Sequence, residues 1–220
     1  EERSAELPNG IDTVRFKPLG GGLRNDVPRI LFTGAWLKQK GIFTLLEALG
    51  MLESRGVRFE ASIAGSSYLY TTGDFQQWQI DSDRHVREAA SKVKSVRIVD
   101  PTPYDQMTDL YRSCDIYAFP SIWDEPFGLG IIEAMSCGLP VVGCTVGAVP
   151  EIVAHGETGL LVPPEDAAAM AGALERLIGD EGERRRMGAS GRRRAEENFN
   201  LAKHASGLIK IYETLMEAAP

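Results

Sequence analysis

Short apolar runs alternate with amphipathic stretches along this chain, and that order predicts an α/β fold built on a doubly wound parallel sheet of about six strands. Three observations carry the prediction. Apolar runs recur at 29–34, 57–65, 95–99 and 115–121, a fifth opens at Pro140-Val141-Val142, and a sixth is GLLVPP at 159–164. Between them lie helical patterns, clearest where Ile42, Leu45, Leu46, Leu49 and Leu52 recur at spacings of three and four. About six strands suit an open, Rossmann-like sheet and are too few for an eight-stranded barrel.

The elements follow in order. Residues 1–28 read as a loop-rich entry segment, because LPNG, KPLGGG and NDVPR are turn chemistry. RILFTG is the first strand, 42–54 the first helix and VRFEASIAG the second strand. Residues 66–82 are polar and aromatic without a period and read as a long loop, followed by a helix at 83–94 and the strand SVRIV. Thr102 and Pro103 suit the cap and first position of the next helix, which leads into the strand DIYAFPS. A helix at 128–137 stops at Gly138. After the fifth and sixth strands, helices are expected at about 165–178, 181–197 and 200–217, the last with Leu201, Ala205, Leu208, Tyr212 and Leu215 on one face. The chain thus divides into an entry segment (1–28), one sheet domain (29–200) and a C-terminal helix (201–220).

Composition narrows the function. The 220 residues carry a formal net charge of −7, which argues against nucleic acid as a partner, since neutralising phosphates supplies much of that affinity. Three cysteines at 114, 137 and 144 match no zinc spacing and point to a reducing compartment. No apolar run reaches the ~18 residues of a membrane span. The opening EERSAEL is polar and lacks Met, which sets the expectation of a cytoplasmic chain excised from a longer protein. His85, His155 and His204 lack metal-ligand spacing, and no metal is expected.

Ligands of such sheets sit at the carboxyl ends of the strands, so the loops after 34, 65, 99, 120 and 143 are where function is sought. The densest of them is Glu125-Pro126-Phe127-Gly128-Leu129-Gly130, which runs into the helix carrying Glu133. Pro126 has no N–H, Gly128 and Gly130 have no side chain, and the amides at this helix start are left open to an anion. At 1.5 Å rise per residue, Glu125 and Glu133 lie on the order of 8 Å apart along the helix, too far to share a proton and well placed to hold two parts of one long ligand.

The segment Glu125 to Glu133, followed by Gly138-Leu139-Pro140-Val141-Val142, resembles the nucleotide-sugar signature of retaining glycosyltransferases with the GT-B fold, glycosyltransferase family 4. Leu7-Pro8-Asn9-Gly10-Ile11-Asp12, Pro120-Ser121, Gly147–Val153 and Gly156–Val162 continue the pattern. The resemblance implies one half of a GT-B fold, the C-terminal domain that binds a UDP-, GDP- or ADP-sugar, with no cofactor and with the acceptor-binding N-terminal domain missing. It implies catalytic roles for Glu125, facing the donor sugar, and Lys40, on the diphosphate. Donor binding falls to Gly34, Val99 (the region whose backbone reads the base), the amides of Phe127, Gly128 and Leu129, and Glu133 on the ribose hydroxyls. One departure is plain: the family usually places Arg after the glycine that ends the first strand, and here Ala35-Trp36 follows Gly34. The turn at Ser66-Ser67-Tyr68-Leu69-Tyr70 also lacks the family's acidic, glycine-rich sequence.

The expected function is therefore sugar transfer from a nucleotide diphosphate donor to an acceptor hydroxyl in the full-length parent, with the isolated fragment inactive. A donor-binding module without catalysis, a GT-B-like nucleotide-sugar epimerase and an interaction domain with a vestigial site are the alternatives. The arginine runs 184–186 and 192–194 read as a solvated helix face with local ion pairs; the alternative is peripheral contact with an anionic membrane surface. Trp36 and Trp123 flank the site loops and suit either stacking on a ligand or packing.

Overall fold

A computed structural model of the chain describes residues 5–20, 26–67 and 77–217. Six strands form one sheet: β1 (Arg29–Ala35), β2 (Glu60–Ser66), β3 (Val96–Val99), β4 (Ile116–Phe119), β5 (Val141–Cys144) and β6 (Gly159–Val162). Their spatial order is β3-β2-β1-β4-β5-β6, and every pairing is parallel. The order reverses between β1 and β4. There the pairing is brief, Ile30 with Ile116 and Leu31 with Tyr117, whereas β1 and β2 stay paired through Ala35 and Ser66. The carboxyl ends of β1 and β4 therefore part, and a crevice opens between them.

The helices are α1 (Ile42–Ser54), α2 (Gln77–Ala90), α3 (Met107–Arg112), α4 (Leu129–Ser136), α5 (Val149–Ile152), α6 (Ala167–Gly179), α7 (Glu181–Asn198) and α8 (Leu201–Glu217). Right-handed crossovers put α1 and α2 on one face of the sheet and α4 on the other. All five apolar positions read from the α1 period are buried, among them Leu45, Leu49 and Leu52 at 0% exposure. One core runs through both layers, from Ile30, Ile63 and Ile116 to Met135 and Leu174. No helix among the described residues is long and apolar enough to cross a membrane.

Local structure departs from the sequence reading in three places. The stretch 66–82 is not loop throughout, because α2 begins at Gln77. Its first buried position is Gln79, whose amide donates to the Ser67 carbonyl at 3.3 Å, so a polar residue occupies the inward face and hides the period. Residues 68–76 of that expected loop lie outside the described residues. Thr102 does not cap α3: its hydroxyl donates to the Asp100 carbonyl, Pro103–Gln106 form a turn, and the helix starts at Met107. Between β5 and β6 stands α5, a single turn absent from the sequence reading.

Most arginines of α7 serve two kinds of partner, acidic side chains and main-chain carbonyls. Arg185 pairs locally with Glu181 at 2.6 Å and Arg186 with Glu183 at 3.6 Å, as a solvated face requires. Arg192 likewise pairs with Glu196. Arg184, Arg186, Arg192 and Arg194 donate to main-chain carbonyls, Arg186 to that of Gly156. Arg184 takes those of Leu177 and Ile178, closing the end of α6, and Arg194 takes those of Glu151 and Ile152. Arg192 reaches the carbonyls of Thr13, Phe16 and Ser136, tying the entry segment to α4. That segment is fixed further by the fully buried Phe16 ring and by a bridge between Ile11 and Asn200. By contrast α8 buries no residue; Ile209, Tyr212 and Leu215 stay exposed.

All three cysteines are unpaired and buried. Burial pushes the Cys114 thiol up, and pushes those of Cys137 and Cys144 up to about 12.

The Arg192 guanidinium yields the first prediction. Arg192→Met keeps the aliphatic stem and strips three carbonyls of a charged donor. A hydrogen bond to a charged group is worth about 1.5–3 kcal/mol, so urea denaturation should show a loss of about 2–3 kcal/mol. An unchanged urea midpoint would show the bonds to be incidental.

Candidate functional site

The crevice at the switch point is an open cleft of about 520 Å³. Gly34 and Thr33 of β1 form one wall, Tyr117 and the loop after β4 the other, and the start of α4 closes the end. Lys40, Glu125, Phe127, Gly128, Leu129 and Glu133 all line it, so seven of the eight site residues expected from the sequence meet in one place. Val99 does not line it. It ends β3 paired with Ala64, and the adjoining cavity of about 320 Å³ is bounded instead by Pro101 and Thr102.

Two turns bring the charged groups together. Gly41 adopts φ 68° at the start of α1, and a Cβ there would stand 1.8 Å from the Pro120 carbonyl oxygen. Only glycine lets the turn after β1 close against the loop after β4. The closure is fastened by the Ile122 amide donating to the Gln39 carbonyl at 2.9 Å. Lys40 thereby reaches Glu125, its ammonium 2.6 Å from Oε1. The Ser121 hydroxyl donates to the same oxygen at 2.8 Å. Glu125 is 5% exposed, so this carboxylate is buried with two donors on one oxygen. The Lys40 ammonium also lies 5.3 Å from the centre of the Trp123 ring, which stands at the rim and is 45% exposed.

At the head of α4, Gly128 is in the left-handed region at φ 99°, and no side chain caps the helix. The amides of its first turn are thus open to an anion. Glu133, further along α4, accepts the Tyr111 hydroxyl at 2.7 Å. Burial raises its pKa above 4.5, opposed by that bond and by the charge of Arg15. Behind it Thr33 touches both the Tyr111 and Tyr117 hydroxyls, at 3.1 and 2.9 Å. Gly130 makes room for this cluster, since a Cβ there would lie 2.3 Å from the Tyr117 hydroxyl.

Other side chains that the sequence singled out have structural duties. Trp36 is wholly buried, its ring 5.0 Å from the Arg87 guanidinium. His155 accepts the Leu161 amide at 3.0 Å and holds the turn before β6. Ala35 ends β1 beside the smaller cavity and brings no charge to it. Among the described residues, no group of three or more His, Cys, Asp or Glu side chains is placed to hold a metal ion. Sequence reasoning missed Thr33, Tyr111 and Tyr117; each reads as an ordinary apolar-run or helix residue, and only the fold joins them.

The chain resembles known proteins along most of its length. A family model described as glycosyl transferases group 1 matches residues 17–194. A D-inositol 3-phosphate glycosyltransferase of Salinispora arenicola is 32% identical over 219 residues, covering 92% of this chain and 48% of that protein. Among solved structures, a sucrose-phosphate synthase of Thermosynechococcus elongatus superposes with a TM-score of 0.84 at 30% identity, covering 97% of this chain and 53% of the other. Anabaena HepE, crystallised with UDP and glucose, shares the fold at a TM-score of 0.77 and 22% identity, covering 96% of this chain and 56% of its own. The chain thus spans about half the length of the relatives it matches.

The raised pKa of Glu133 sets a pH dependence. The folded state holds this proton more tightly than the unfolded chain does, so the resulting stabilisation is complete below 4.5 and is lost as pH rises through the folded value. Near neutrality the ionised group weighs against folding. Glu133→Gln should therefore melt higher than wild type at pH 7, with the gap closing towards pH 4.5. A gap that is the same at both pH values, read by differential scanning calorimetry, would contradict this.

Proposed function

Since the chain belongs to the glycosyl transferases group 1 family, the GT-B glycosyltransferases, we propose that it is the nucleotide-sugar-binding half of a retaining glycosyltransferase. The observation that carries this reading is the arrangement of one cleft: a Lys40–Glu125–Ser121 cluster at one end, Glu133 at the other, and an uncapped helix start between them. A nucleoside diphosphate sugar has matching parts. Its ribose diol suits the Glu133 carboxylate, its diphosphate the open amides of α4 and the Lys40 ammonium, and its sugar the Glu125 end. The base would lie in the smaller cavity against Pro101 and Thr102. That HepE, a fold neighbour, is crystallised with UDP and with UDP-glucose supports this reading.

In the transfer, the bond from the anomeric carbon to the phosphate oxygen breaks with its electron pair leaving on that oxygen, the acceptor hydroxyl oxygen forms the new bond to the anomeric carbon, and the hydroxyl proton passes to the departing diphosphate. Negative charge grows on the departing diphosphate. Fixed donors aimed at developing charge are the largest contribution to many such reactions, and Lys40 and the α4 amides are those donors here. The acceptor would be held by the half of the protein that the relatives have beyond this chain. A second reading, donor binding without catalysis, is favoured by one observation: Ala35 stands where the family's second cation is usual. Sugar transfer by the full-length protein, scored across UDP-, GDP- and ADP-sugars, separates the two; donor binding with no transfer from any of them would favour the module.

Two substitutions test the donor site in this chain. Glu133→Ala should weaken nucleoside diphosphate binding roughly 10- to 150-fold, the equivalent of about 1.5–3 kcal/mol. Calorimetry giving equal affinities would remove Glu133 from the site. Lys40→Met should weaken diphosphate binding to a similar degree and nucleoside binding little. It should also destabilise the ligand-free chain by about 1–3 kcal/mol, because Glu125 loses its partner while buried. A Lys40→Met chain with wild-type diphosphate affinity would move the phosphate site elsewhere.

A further inference from the structure

We propose that Tyr111 is a positioning residue for Glu133, and that the buried hydroxyl chain behind it fixes which carboxylate oxygen is left for a ligand. The inference rests on the reading above, in which Glu133 holds a ribose diol. Four residues from four elements make the chain: Tyr117 of β4, Thr33 of β1, Tyr111 of α3 and Glu133 of α4. Both tyrosines are 0% exposed, so water does not compete for their hydroxyls.

Proton counting sets the direction of every bond. Each hydroxyl carries one proton, and an ionised carboxylate carries none. Tyr111 donates to Glu133 Oε2, so it must accept from Thr33. Thr33 has then spent its proton and must accept from Tyr117. The chain has a single sense, ending on Oε2, and Oε1 remains for the cleft. Two neighbouring ligand hydroxyls need an acceptor held in one orientation, and a glutamate with three side-chain torsions supplies that only when one oxygen is anchored. The tyrosine rings pack on one another with centroids 5.6 Å apart, and Tyr111 also packs edge-on to Phe16 at 6.1 Å. Phenylalanine at 111 would keep this packing and lose only the hydroxyl.

The test compares two probes by calorimetry: whichever of UDP, GDP and ADP binds the wild-type chain most tightly, and its 2′,3′-dideoxy counterpart. Tyr111→Phe should lower affinity for the ribonucleotide roughly 5- to 30-fold, as loss of an anchored charged acceptor implies. The dideoxy affinity should stay within about twofold, and in a Glu133→Gln background the same substitution should change neither probe by more than that. A wild-type ratio of the two affinities in Tyr111→Phe, or equal loss for both probes, would overturn the positioning role. If Glu133→Gln itself leaves the ratio unchanged, the donor reading fails and takes this inference with it. Should Tyr111→Phe not fold, Thr33→Val removes the proton that saturates the Tyr111 oxygen, and a loss of about two- to fivefold for the ribonucleotide alone is expected. An unaltered ratio there would overturn the proposal equally.

Discussion

A right-handed crossover can carry the chain from one parallel strand to the next on only one face of the sheet for each direction of travel. This chain travels outwards from β1 through β2 to β3, then returns to the centre and travels the other way from β4 to β6. The two loops that leave the central strands therefore turn to opposite faces, and nothing fills the gap between them. The early end of β1–β4 pairing, after Leu31 and Tyr117, is the visible result. Lys40 comes to the gap from the β1 side, and Glu125 and Glu133 from the β4 side. No local sequence preference would assemble these groups; the topology does.

Lys40 and Glu125 form the ion pair at the heart of the cleft. On the proposed reading the ammonium would face two claims, one from the buried Glu125 carboxylate and one from an incoming diphosphate. The Ser121 hydroxyl, on the same Glu125 oxygen, would still serve that carboxylate if the ammonium turned to the anion. A cation already held near its working place loses less side-chain freedom on binding than one recruited from solvent. The proposed donor site is in this sense partly assembled.

Much of this was legible along the chain. The six strands and α1 follow from apolar runs and from spacings of three and four. The open start of α4 follows from Pro126, Gly128 and Gly130, residues that cover nothing. The Lys40–Glu125 contact was not legible, because 85 residues separate the partners and the glycine that allows it, Gly41, looks like any turn residue. The α7 arginines do form the local ion pairs the sequence suggests, but their second duty was hidden for a related reason. Charge runs normally face water, but Arg192 serves three carbonyls that α7, α4 and the entry segment bring together only once packed. Val99 ends its strand without lining the cleft, and the wall of the adjoining cavity is built by Pro101 and Thr102, a boundary that the apolar run alone does not mark.

The three cysteines change meaning once their surroundings are known. As a count, an odd number of unpaired thiols argued for a reducing compartment. In the fold, burial pushes Cys137 and Cys144 up to about 12, so at pH 7 both stay protonated. Oxidants and alkylating reagents attack the thiolate, and these thiols are also shielded by the core. Burial therefore slows their oxidation and alkylation. A cysteine introduced at the rim, in place of Trp123 for example, would then be the one thiol open to a maleimide dye, and the chain becomes a labelling-ready reporter of its own cleft.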